Sequence, residues 1–258
     1  MLKTDYKAIV PDISVIYKNV NGLELPLRIY LPKGFSKKKK YTAVICIHGG
    51  GWTTGIKDNE LWNGGDMSAH SAYYAAKGFV GVSFSYRSVA LDGVDLRDII
   101  EDCNDAVRFI AENYRFIDRK IVMGDSAGGY LAVNLAMAED ETIRPDFVVA
   151  CNPVLQLKEK FLYAASNNKN LAEKLNLLSR KSKKCSNILF VHGCSDKVVD
   201  VRDSIRLSQR LNLEGFNSEI ELLEETDHAF ILFDYIYDNN KVLEFLLLID
   251  KYIEEAIL

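Results

Sequence analysis

The sequence has little of what marks secreted, membrane-spanning or nucleic-acid-binding proteins. Its five cysteines are odd in number and lack paired short spacings, which argues against a disulfide framework and against a zinc site. No apolar run is long enough to span a bilayer, and the start of the chain holds no apolar core of signal-peptide length. The net charge of −4 gives no excess of positive charge of the kind that binds nucleic acid or an anionic membrane. These absences predict a cytoplasmic protein with reduced thiols.

What is present is ordinary for a soluble globular protein, with 48% hydrophobic and 26% charged residues. A chain of 258 residues can bury a large core, and this length fits one α/β domain spanning 1–258. No internal repeat or low-complexity linker divides it. The lysine run at 37–40 is interpreted as a solvated loop, because one short cationic run in an acidic chain is a weak sign of a binding patch.

Hydrophobic patterning predicts an α/β fold. Two alternating stretches flank Asn21-Gly22, a pair that is typical of a β-hairpin turn. Beyond this hairpin, short apolar runs alternate with stretches of helical periodicity, which favours a mostly parallel sheet. The predicted strands are 13–20, 23–31, 41–47, 79–84, 120–123, 147–151, 188–191 and 219–223, and the predicted helices are 68–77, 96–114, 130–138, 204–213 and 241–257.

Segment 154–184 interrupts this alternation. It lies between two predicted strands and has a charged, helix-like composition. It is longer than one crossover requires, and long insertions in compact domains tend to be functional. We interpret it as a small cap over the strand ends; the alternative is an ordinary crossover helix with a surface loop.

The most informative motif is Gly124-Asp125-Ser126-Ala127-Gly128-Gly129. It follows the apolar run at 120–123 and precedes a helix-like stretch. A G-x-S-x-G sequence between a strand and a helix is typical of a nucleophile elbow, a tight turn that exposes the serine hydroxyl. The helix N-terminus behind the serine favours developing negative charge. Ser126 is therefore the candidate nucleophile.

A serine hydroxyl needs a base, and the chain has four histidines. His48 belongs to a glycine motif, His70 falls in a helix-like stretch, and His192 ends a strand at a His-Gly pair. His228 lies directly after the last predicted strand, in a loop at the carboxyl ends of the strands, where ligands bind in open α/β sheets. We therefore predict that His228 is the general base.

A third group has to orient the imidazole and stabilise its protonated form. Asp196 follows the penultimate predicted strand and gives the chain order Ser126, Asp196, His228. Asp200 is a rival one helical turn further on. Asp227 is a weaker rival, because the side chains of sequence neighbours usually diverge. Asp196 is the predicted acid.

Acyl transfer also needs N–H donors for the tetrahedral oxyanion. Ala127, directly after the nucleophile, supplies one backbone N–H. Gly50 and Gly51, in His48-Gly49-Gly50-Gly51, are the predicted sources of the others, because a glycine run lets backbone amides turn towards a ligand. A phosphate-binding loop is the alternative for this run, but the lysine and the serine or threonine that end such a loop are missing.

Three other residues admit a structural and a functional interpretation. Trp52 is a candidate pocket residue, and its alternative place is the core. Arg87 could contact a substrate carboxylate, but pairing with an acid such as Asp102 is favoured. Asp125 flanks the nucleophile and is expected to hydrogen-bond backbone around the elbow.

Several motifs together carry a family resemblance. They are His48-Gly49-Gly50-Gly51-Trp52, Tyr86-Arg87, the elbow at 124–129, His192-Gly193-Cys194-Ser195-Asp196 and Asp227-His228. The chain resembles the α/β-hydrolase superfamily, in the HGGG branch of hormone-sensitive-lipase-like carboxylesterases and small bacterial esterases of acetylated or feruloylated carbohydrate, with kynurenine formamidase as a near relative. The resemblance implies an eight-stranded, mostly parallel sheet with helices on both faces, and ester hydrolysis through an acyl-enzyme. Tyr130 after the double glycine, and the lack of N-terminal cap helices, favour compact esterases over long-chain lipases.

The predicted function is hydrolysis of small carboxylic esters with short acyl chains. An amide hydrolase of the arylformamidase type is an alternative, because a triad does not distinguish esters from amides. A binding or sensor protein with a disabled pocket is a third hypothesis, and the presence of both Ser126 and His228 argues against it. The triad needs no metal or cofactor, and the expected partner is a small-molecule ester, not nucleic acid or membrane.

Overall fold

The computed structural model describes residues 5–57, 60–62 and 67–257. The first four residues, in which the sequence predicts no signal peptide, lie outside the described residues. The chain enters through a 3-10 turn and the predicted hairpin, formed by β1 (Ile13–Val20) and β2 (Leu23–Tyr30). Asn21 and Gly22 both have positive φ, at 52° and 90°, which is the backbone geometry that a two-residue hairpin of this type requires.

The remaining elements follow in an alternating order. They are β3 (Tyr41–Ile47), β4 (Gly55–Lys57), β5 (Glu60–Trp62), α1 (Ser68–Ala76), β6 (Val80–Phe84), α2 (Leu96–Asn113), β7 (Ile117–Asp125), α3 (Ala127–Ala136), β8 (Phe147–Cys151), α4 (Lys169–Lys174), β9 (Asn187–Gly193), α5 (Val201–Leu213), β10 (Ser218–Leu223) and α6 (Asn239–Ile257). Two 3-10 turns, Tyr6–Ala8 and Glu159–Ala165, complete the set within the described residues.

The main sheet has eight strands in the order β1-β2-β6-β3-β7-β8-β9-β10. The pairs β1–β2 and β2–β6 are antiparallel, and every pair from β6 to β10 is parallel. The prediction of an eight-stranded, mostly parallel sheet is thereby confirmed. The strand order reverses around β3, between β6 and β7, and ligands bind at the carboxyl ends of strands beside such a reversal.

Helices cover both faces of this sheet, so its central strands are buried on both sides. All five residues of β6 and of β8 are buried, as their continuous apolar sequence predicts. Apolar residues of α2, α3 and α5 pack on one face, and those of α1 and α6 pack on the other. All ten residues of α3, the helix behind the elbow, are buried.

The structure differs from the sequence-based prediction in one additional hairpin and at the ends of several elements, among them α3, β7 and α5, which begins at Val201. The short hairpin β4–β5 was not predicted, because segments of three residues carry too little periodicity to be recognised. Helix α3 begins at Ala127 and therefore includes the glycine pair that was read as part of the turn. Strand β7 begins at Ile117, since its charged first residues pair with β3 despite lacking apolar character.

Segment 154–184 contains the 3-10 turn Glu159–Ala165 and the short helix α4, and no long crossover helix. Ala164, Ala165 and Leu177 are buried against the α2–α3 face, so the segment is packed and not a frayed loop. None of the helices in the described part of the chain has both the length and the apolarity to cross a bilayer.

Arg87 follows the structural interpretation. Its Nε lies 2.7 Å from Asp102 Oδ2 and its Nη2 lies 2.8 Å from Asp102 Oδ1, a two-pronged ion pair between the end of β6 and α2. Lys18 of β1 reaches the same carboxylate at 2.8 Å. Because Asp102 is fully buried, these partners supply the charge compensation that a buried carboxylate requires.

Candidate active site

Ser126 lies at the turn between β7 and α3. Its backbone has φ 55° and ψ −112°, a strained conformation for a residue with a side chain. The Ser126 N–H donates to the Cys151 carbonyl at 2.9 Å, and the Ser126 carbonyl accepts from the N–H groups of Tyr130 and Val154. These bonds on both sides of the residue hold the turn in this strained geometry.

Two glycines make the turn sterically feasible. A Cβ on Gly124 would lie 2.2 Å from the Gly128 carbonyl oxygen. A Cβ on Gly128 would lie 2.2 Å from the Ile47 carbonyl oxygen, at the end of β3. Both distances are far below van der Waals contact, so these positions of the motif are fixed by backbone packing.

His228, in the loop after β10, reaches the serine. Its Nε2 lies 2.9 Å from Ser126 Oγ, and its Nδ1 lies 2.7 Å from Asp196 Oδ2. The three side chains predicted as a triad therefore form one continuous hydrogen-bonded relay. They come from the ends of β7, β9 and β10, three strands separated widely in sequence.

Asp196 is held in place by four contacts. Its Oδ1 accepts the N–H groups of Val198 and Val199 at 2.8 and 2.9 Å, and its Oδ2 lies 3.2 Å from His192 Nε2 besides contacting His228. Burial alone would raise the pKa of Asp196, but the neighbouring His192 ring and the hydrogen bonds from His228 and Val199 hold the pKa well below its usual range. The carboxylate therefore remains ionised beside the imidazole.

The two rival acids have other roles. Asp200 is the N-cap of α5, where it accepts the Arg202 N–H at 3.0 Å and pairs with the Arg202 guanidinium. Asp227 accepts the backbone N–H of His228 at 2.7 Å. The Asp196 carboxylate is the acid that contacts the His228 ring.

The environment of His228 favours its protonated form. Burial by itself lowers the pKa of this imidazole, but the hydrogen bond to Asp196 and the negative charges of Asp125, Asp196 and Asp227 outweigh it. The net result is a pKa raised above 6.5. An imidazole that can both accept and hold a proton is what a general base in acyl transfer requires.

Asp125 departs from the expectation that it hydrogen-bonds backbone around the elbow. Its side chain is buried, and its Oδ1 has no hydrogen-bond partner within the described residues. Its Oδ2 lies against Gly49, 3.0 Å from where a Cβ on that glycine would stand. Because burial without a donor disfavours the ionised form, the pKa of Asp125 is raised to about 7.

The glycine loop after β3 lies against the elbow. A Cβ on Gly49 would stand 3.1 Å from Ser126 Cβ. Gly50 and Gly51 follow with φ values of 88° and 62°, which turn successive peptide units in directions that other residues rarely adopt. In the described part of the chain, the N–H groups of Gly50, Gly51 and Ala127 donate to no protein acceptor. Such donors beside a serine hydroxyl are suited to binding an oxyanion.

Trp52, the candidate pocket residue, lies in the core and does not line an open pocket. Its side chain is 0% exposed, and its ring packs edge-on against Tyr130 and Phe161. The structure therefore gives it the core position that was the alternative. The glycine loop turns at Trp52, whose φ is 59°, so that its side chain points under the cap segment.

The other three histidines have structural partners. The His48 ring stacks on Tyr86 with centroids 4.0 Å apart. His70 Nε2 lies 2.8 Å from the Ile231 carbonyl oxygen. His192 Nδ1 lies 2.8 Å from Ser204 Oγ, and its other nitrogen faces Asp196. His192 is therefore part of the support of the acid, a role beyond the backbone organisation expected from its sequence position.

Asn152, directly after β8, is the site residue that sequence reasoning missed. Its side-chain amide donates to the His228 carbonyl oxygen, and its side-chain oxygen accepts the Gly193 N–H at 3.0 Å. One side chain thus ties the histidine loop to the end of the strand that carries the acid. The sequence does contain one sign of such a role: Asn152 has a side-chain amide, lies at the carboxyl end of a buried strand and is followed by a proline.

Comparisons with known proteins bear on the fold and on the segment that carries the glycine loop and the elbow. The BD-FAE family model matches residues 27–149, from β2 to β8, which includes the glycine loop and the elbow. Kynurenine formamidase avaC of Aspergillus versicolor is 34% identical over 113 residues, covering 40% of this chain and 38% of that protein. A probable dipeptidyl-aminopeptidase B of Arthroderma benhamiae is 22% identical over 249 residues, covering 88% of this chain and 26% of that protein. The chain thus aligns with well under half of these curated relatives' length.

Among solved structures, esterase 2 of Thermogutta terrifontis with bound propionate superposes with a TM-score of 0.81 at 22% identity. The match covers 94% of this chain and 93% of that one. The same esterase has also been solved phosphorylated by paraoxon. The likeness therefore extends over nearly the whole chain.

Proposed function

The chain belongs to the α/β-hydrolase superfamily, with the fold of known esterases, and on that premise we propose that it is a serine hydrolase of small carboxylic esters. The observation that carries the proposal is the hydrogen-bonded relay from Ser126 through His228 to Asp196. It stands beside backbone N–H groups that donate to no acceptor in the described chain. The matched esterase supports an ester as the substrate.

The proposed reaction proceeds through an acyl-enzyme. Ser126 Oγ attacks the ester carbonyl carbon while His228 Nε2 takes the hydroxyl proton. The N–H groups of Gly50, Gly51 and Ala127 bind the oxyanion that forms. His228 then returns the proton to the departing alkoxide, and the ester C–O bond breaks. A water molecule, deprotonated by His228, then attacks the acyl carbon. The bond from that carbon to Ser126 Oγ breaks, His228 returns the proton to Ser126 Oγ, and the carboxylic acid is released.

Asp196 acts in this sequence without exchanging a proton. Its hydrogen bond to Nδ1 directs Nε2 towards the serine and stabilises the imidazolium that forms on proton transfer. His192 and the N–H groups of Val198 and Val199 fix the carboxylate, so that the base does not need to be oriented when substrate binds. The proposed chemistry calls for no metal or cofactor.

An amide hydrolase of the formamidase type is the second candidate, supported by the similarity to kynurenine formamidase avaC. The two activities separate in a comparison of kcat/KM for p-nitrophenyl acetate, acetylated sugars and N-formylkynurenine. A higher value for either ester supports the esterase. A higher value for N-formylkynurenine assigns the site to amides.

We also propose that 154–184 is a cap within one domain spanning 1–258. Two of its side chains tie it to the site. The Tyr163 hydroxyl donates to the Gly51 carbonyl at 2.7 Å. The Lys160 ammonium donates to the Lys197 and Val198 carbonyls at 3.2 and 3.3 Å. The segment thus contacts both the oxyanion loop and the turn that carries the acid.

The pH dependence of hydrolysis should follow His228. Only the neutral imidazole can take the Ser126 proton, so kcat/KM should rise with pH through the pKa of His228, which lies above 6.5. The charge of Asp125 is one cause of this raised pKa. Asp125→Asn should therefore shift the acidic limb of the kcat/KM profile to lower pH, measured with p-nitrophenyl acetate.

A matched control for this shift is Asp118→Asn, which removes the same charge from the exposed amino end of β7. It should leave the acidic limb where the unmodified protein has it. An equal shift in both variants would mean that overall charge, and not the neighbour of the imidazole, sets the profile.

Replacing Asn152 by alanine should slow catalysis while substrate binding is largely retained. The His228 carbonyl and the Gly193 N–H lose their shared partner, so the imidazole is held less firmly against Ser126. We expect kcat to fall by about tenfold to a hundredfold with a small change in KM, because displacement of a catalytic group by about 1 Å has effects of this size. Steady-state kinetics would measure the split.

The exposed amide Asn113, on α2, provides the control substitution to alanine, and thermal unfolding of both variants shows whether folding is retained. If Asn152→Ala raised KM and left kcat unchanged, its role would be in substrate binding and not in positioning the base.

A further inference from the structure

A cavity of 520 Å³ lies beside the proposed triad. One wall is the beginning of the cap, including Val154 and Phe161, and the other wall is the turn after Asp196 with the first turns of α5. Asp196 belongs to the lining, whereas Ser126 and His228 do not. Because its lining includes one member of the relay, this cavity is the candidate place for a part of the substrate that does not react.

Contacts on the walls show how near the cavity is to the nucleophile. The Val154 N–H donates to the Ser126 carbonyl at 3.2 Å. The Phe161 ring packs against Trp52, which follows directly after the glycine loop. The cavity is thus bounded by neighbours of the elbow, of the oxyanion loop and of the acid, and it lies next to the proposed site.

The lining combines apolar and charged side chains. The apolar side chains include Val198, which is 43% exposed although it is hydrophobic. The charged lining residues are five cations and four anions: Lys158, Lys160, Lys197, Arg202, Arg206, Glu159, Asp196, Asp200 and Asp203. Two of these anions pair with the two arginines, so the positive charge that is not paired within the lining lies on the lysines.

Pairing leaves an excess of lysines. Arg202 pairs with Asp200 at 2.5 Å, Arg206 lies 3.7 Å from Asp203, and Asp196 is engaged by His228. The charged groups left over are Lys158, Lys160, Lys197 and Glu159. In the described chain, none of these three lysines has a carboxylate within 4.0 Å. The cavity therefore carries local positive charge in a protein whose net charge is −4.

From this arrangement we infer that the substrate carries an anionic group, such as a carboxylate, on the part that occupies the cavity, with its apolar portion against Val154, Phe161 and Val198. This rests on the proposed esterase function and names the substrate class of that same site. Lys158 belongs to the cap and Lys197 to the turn after Asp196, so the cavity has one exposed lysine in each of its two walls. Both lysines are exposed, and the effect of each is therefore modest and reduced by salt.

The test compares esters that differ only in charge. On the alcohol side the pair is para-acetoxybenzoate and para-acetoxybenzamide. On the acyl side it is monoethyl adipate and ethyl adipamate. We expect kcat/KM to favour the anion of at least one pair by about fivefold at low salt, with the preference falling as salt increases. The double variant Lys158→Gln/Lys197→Gln should bring that ratio to about one.

Lys37→Gln/Lys38→Gln is the matched control, since it removes the same charge from the loop before β3, at the opposite end of the sheet. It should keep the preference. Equal rates within both ester pairs in the unmodified protein, or a preference that survives in Lys158→Gln/Lys197→Gln, would overturn the inference. Circular dichroism verifies that both double variants are folded.

A binding measurement separates this inference from the proposed function. Calorimetric titration of the unmodified protein reads anion preference without turnover, with para-hydroxybenzoate against its amide for the alcohol side and adipate against adipamate for the acyl side. If p-nitrophenyl acetate is not hydrolysed but the anion binds more tightly, the esterase proposal fails and the anion site stands. If p-nitrophenyl acetate is hydrolysed while the anion and the amide bind equally, the esterase stands and the anion site is wrong.

Discussion

Ser126→Ala should reduce the turnover of p-nitrophenyl acetate by about a thousandfold or more, because losing a triad nucleophile leaves only the contribution of binding and oxyanion contacts. The Cβ of alanine fits wherever the Cβ of serine does, so the strained turn should persist and the protein should remain folded. A fluorophosphonate probe, which reacts with an activated serine, should label the unmodified protein and not the variant. Mass spectrometry of the labelled peptide should place the adduct on Ser126.

Ser14→Ala, on the exposed side of the edge strand β1, is the matched serine control and should keep full turnover. Substantial remaining turnover in Ser126→Ala would show that the relay at β7 does not carry the reaction. Loss of turnover in both variants would point to a general effect of the substitutions on folding, which thermal unfolding would reveal.

Asp196→Asn should have the second large effect, a fall in kcat of about ten-thousandfold near neutral pH, as expected when an amide replaces the acid of a triad. An amide at this position does not stabilise the imidazolium, and it no longer fixes the proton on Nδ1. The pKa of His228 should also fall, since the hydrogen bond to Asp196 helps to raise it. A stopped-flow or steady-state pH profile would detect both changes.

Asp200→Asn tests the rival acid directly. Asp200 caps α5 and pairs with Arg202 on the surface, away from the imidazole, so this variant should lose some stability and little kcat. The assignment would be reversed if Asp200→Asn lost the larger share of kcat. Equal and small losses in both variants would mean that His228 works without a carboxylate partner.

Much of this fold and site was accessible from the sequence, because the informative signals are local. The hairpin turn needs two residues of positive φ, and the pair Asn21-Gly22 is a sequence that favours this geometry. The elbow likewise needs glycines at 124 and 128, where a Cβ would meet backbone oxygens. His228 followed from its position after the last strand. Each of these inferences depends on a few consecutive residues and on strand order.

What was missed depends on contacts between distant parts of the chain. Asn152 is 76 positions from His228 in sequence, and no local pattern announces that its side-chain amide reaches that carbonyl. The sequence predicts that Asp125 hydrogen-bonds the backbone of the elbow, but its side chain packs against Gly49, in the loop after β3. For Trp52 the sequence left core and pocket open, and the packing of Phe161 from the cap decided between them.

The placement of the relay at one side of the sheet has a consequence for how the protein loses activity. The base follows β10, an edge strand that pairs only with β9 in the described sheet, whereas the nucleophile lies on a central strand. Edge elements open in local fluctuations that leave the centre intact. Mild denaturant should therefore separate the imidazole from the serine before the fluorescence of the core changes. Loss of activity would then report the local opening of β10 and of the loop that carries His228. The hydrogen bonds of Asn152, which connect this loop to the ends of β8 and β9, should delay that opening.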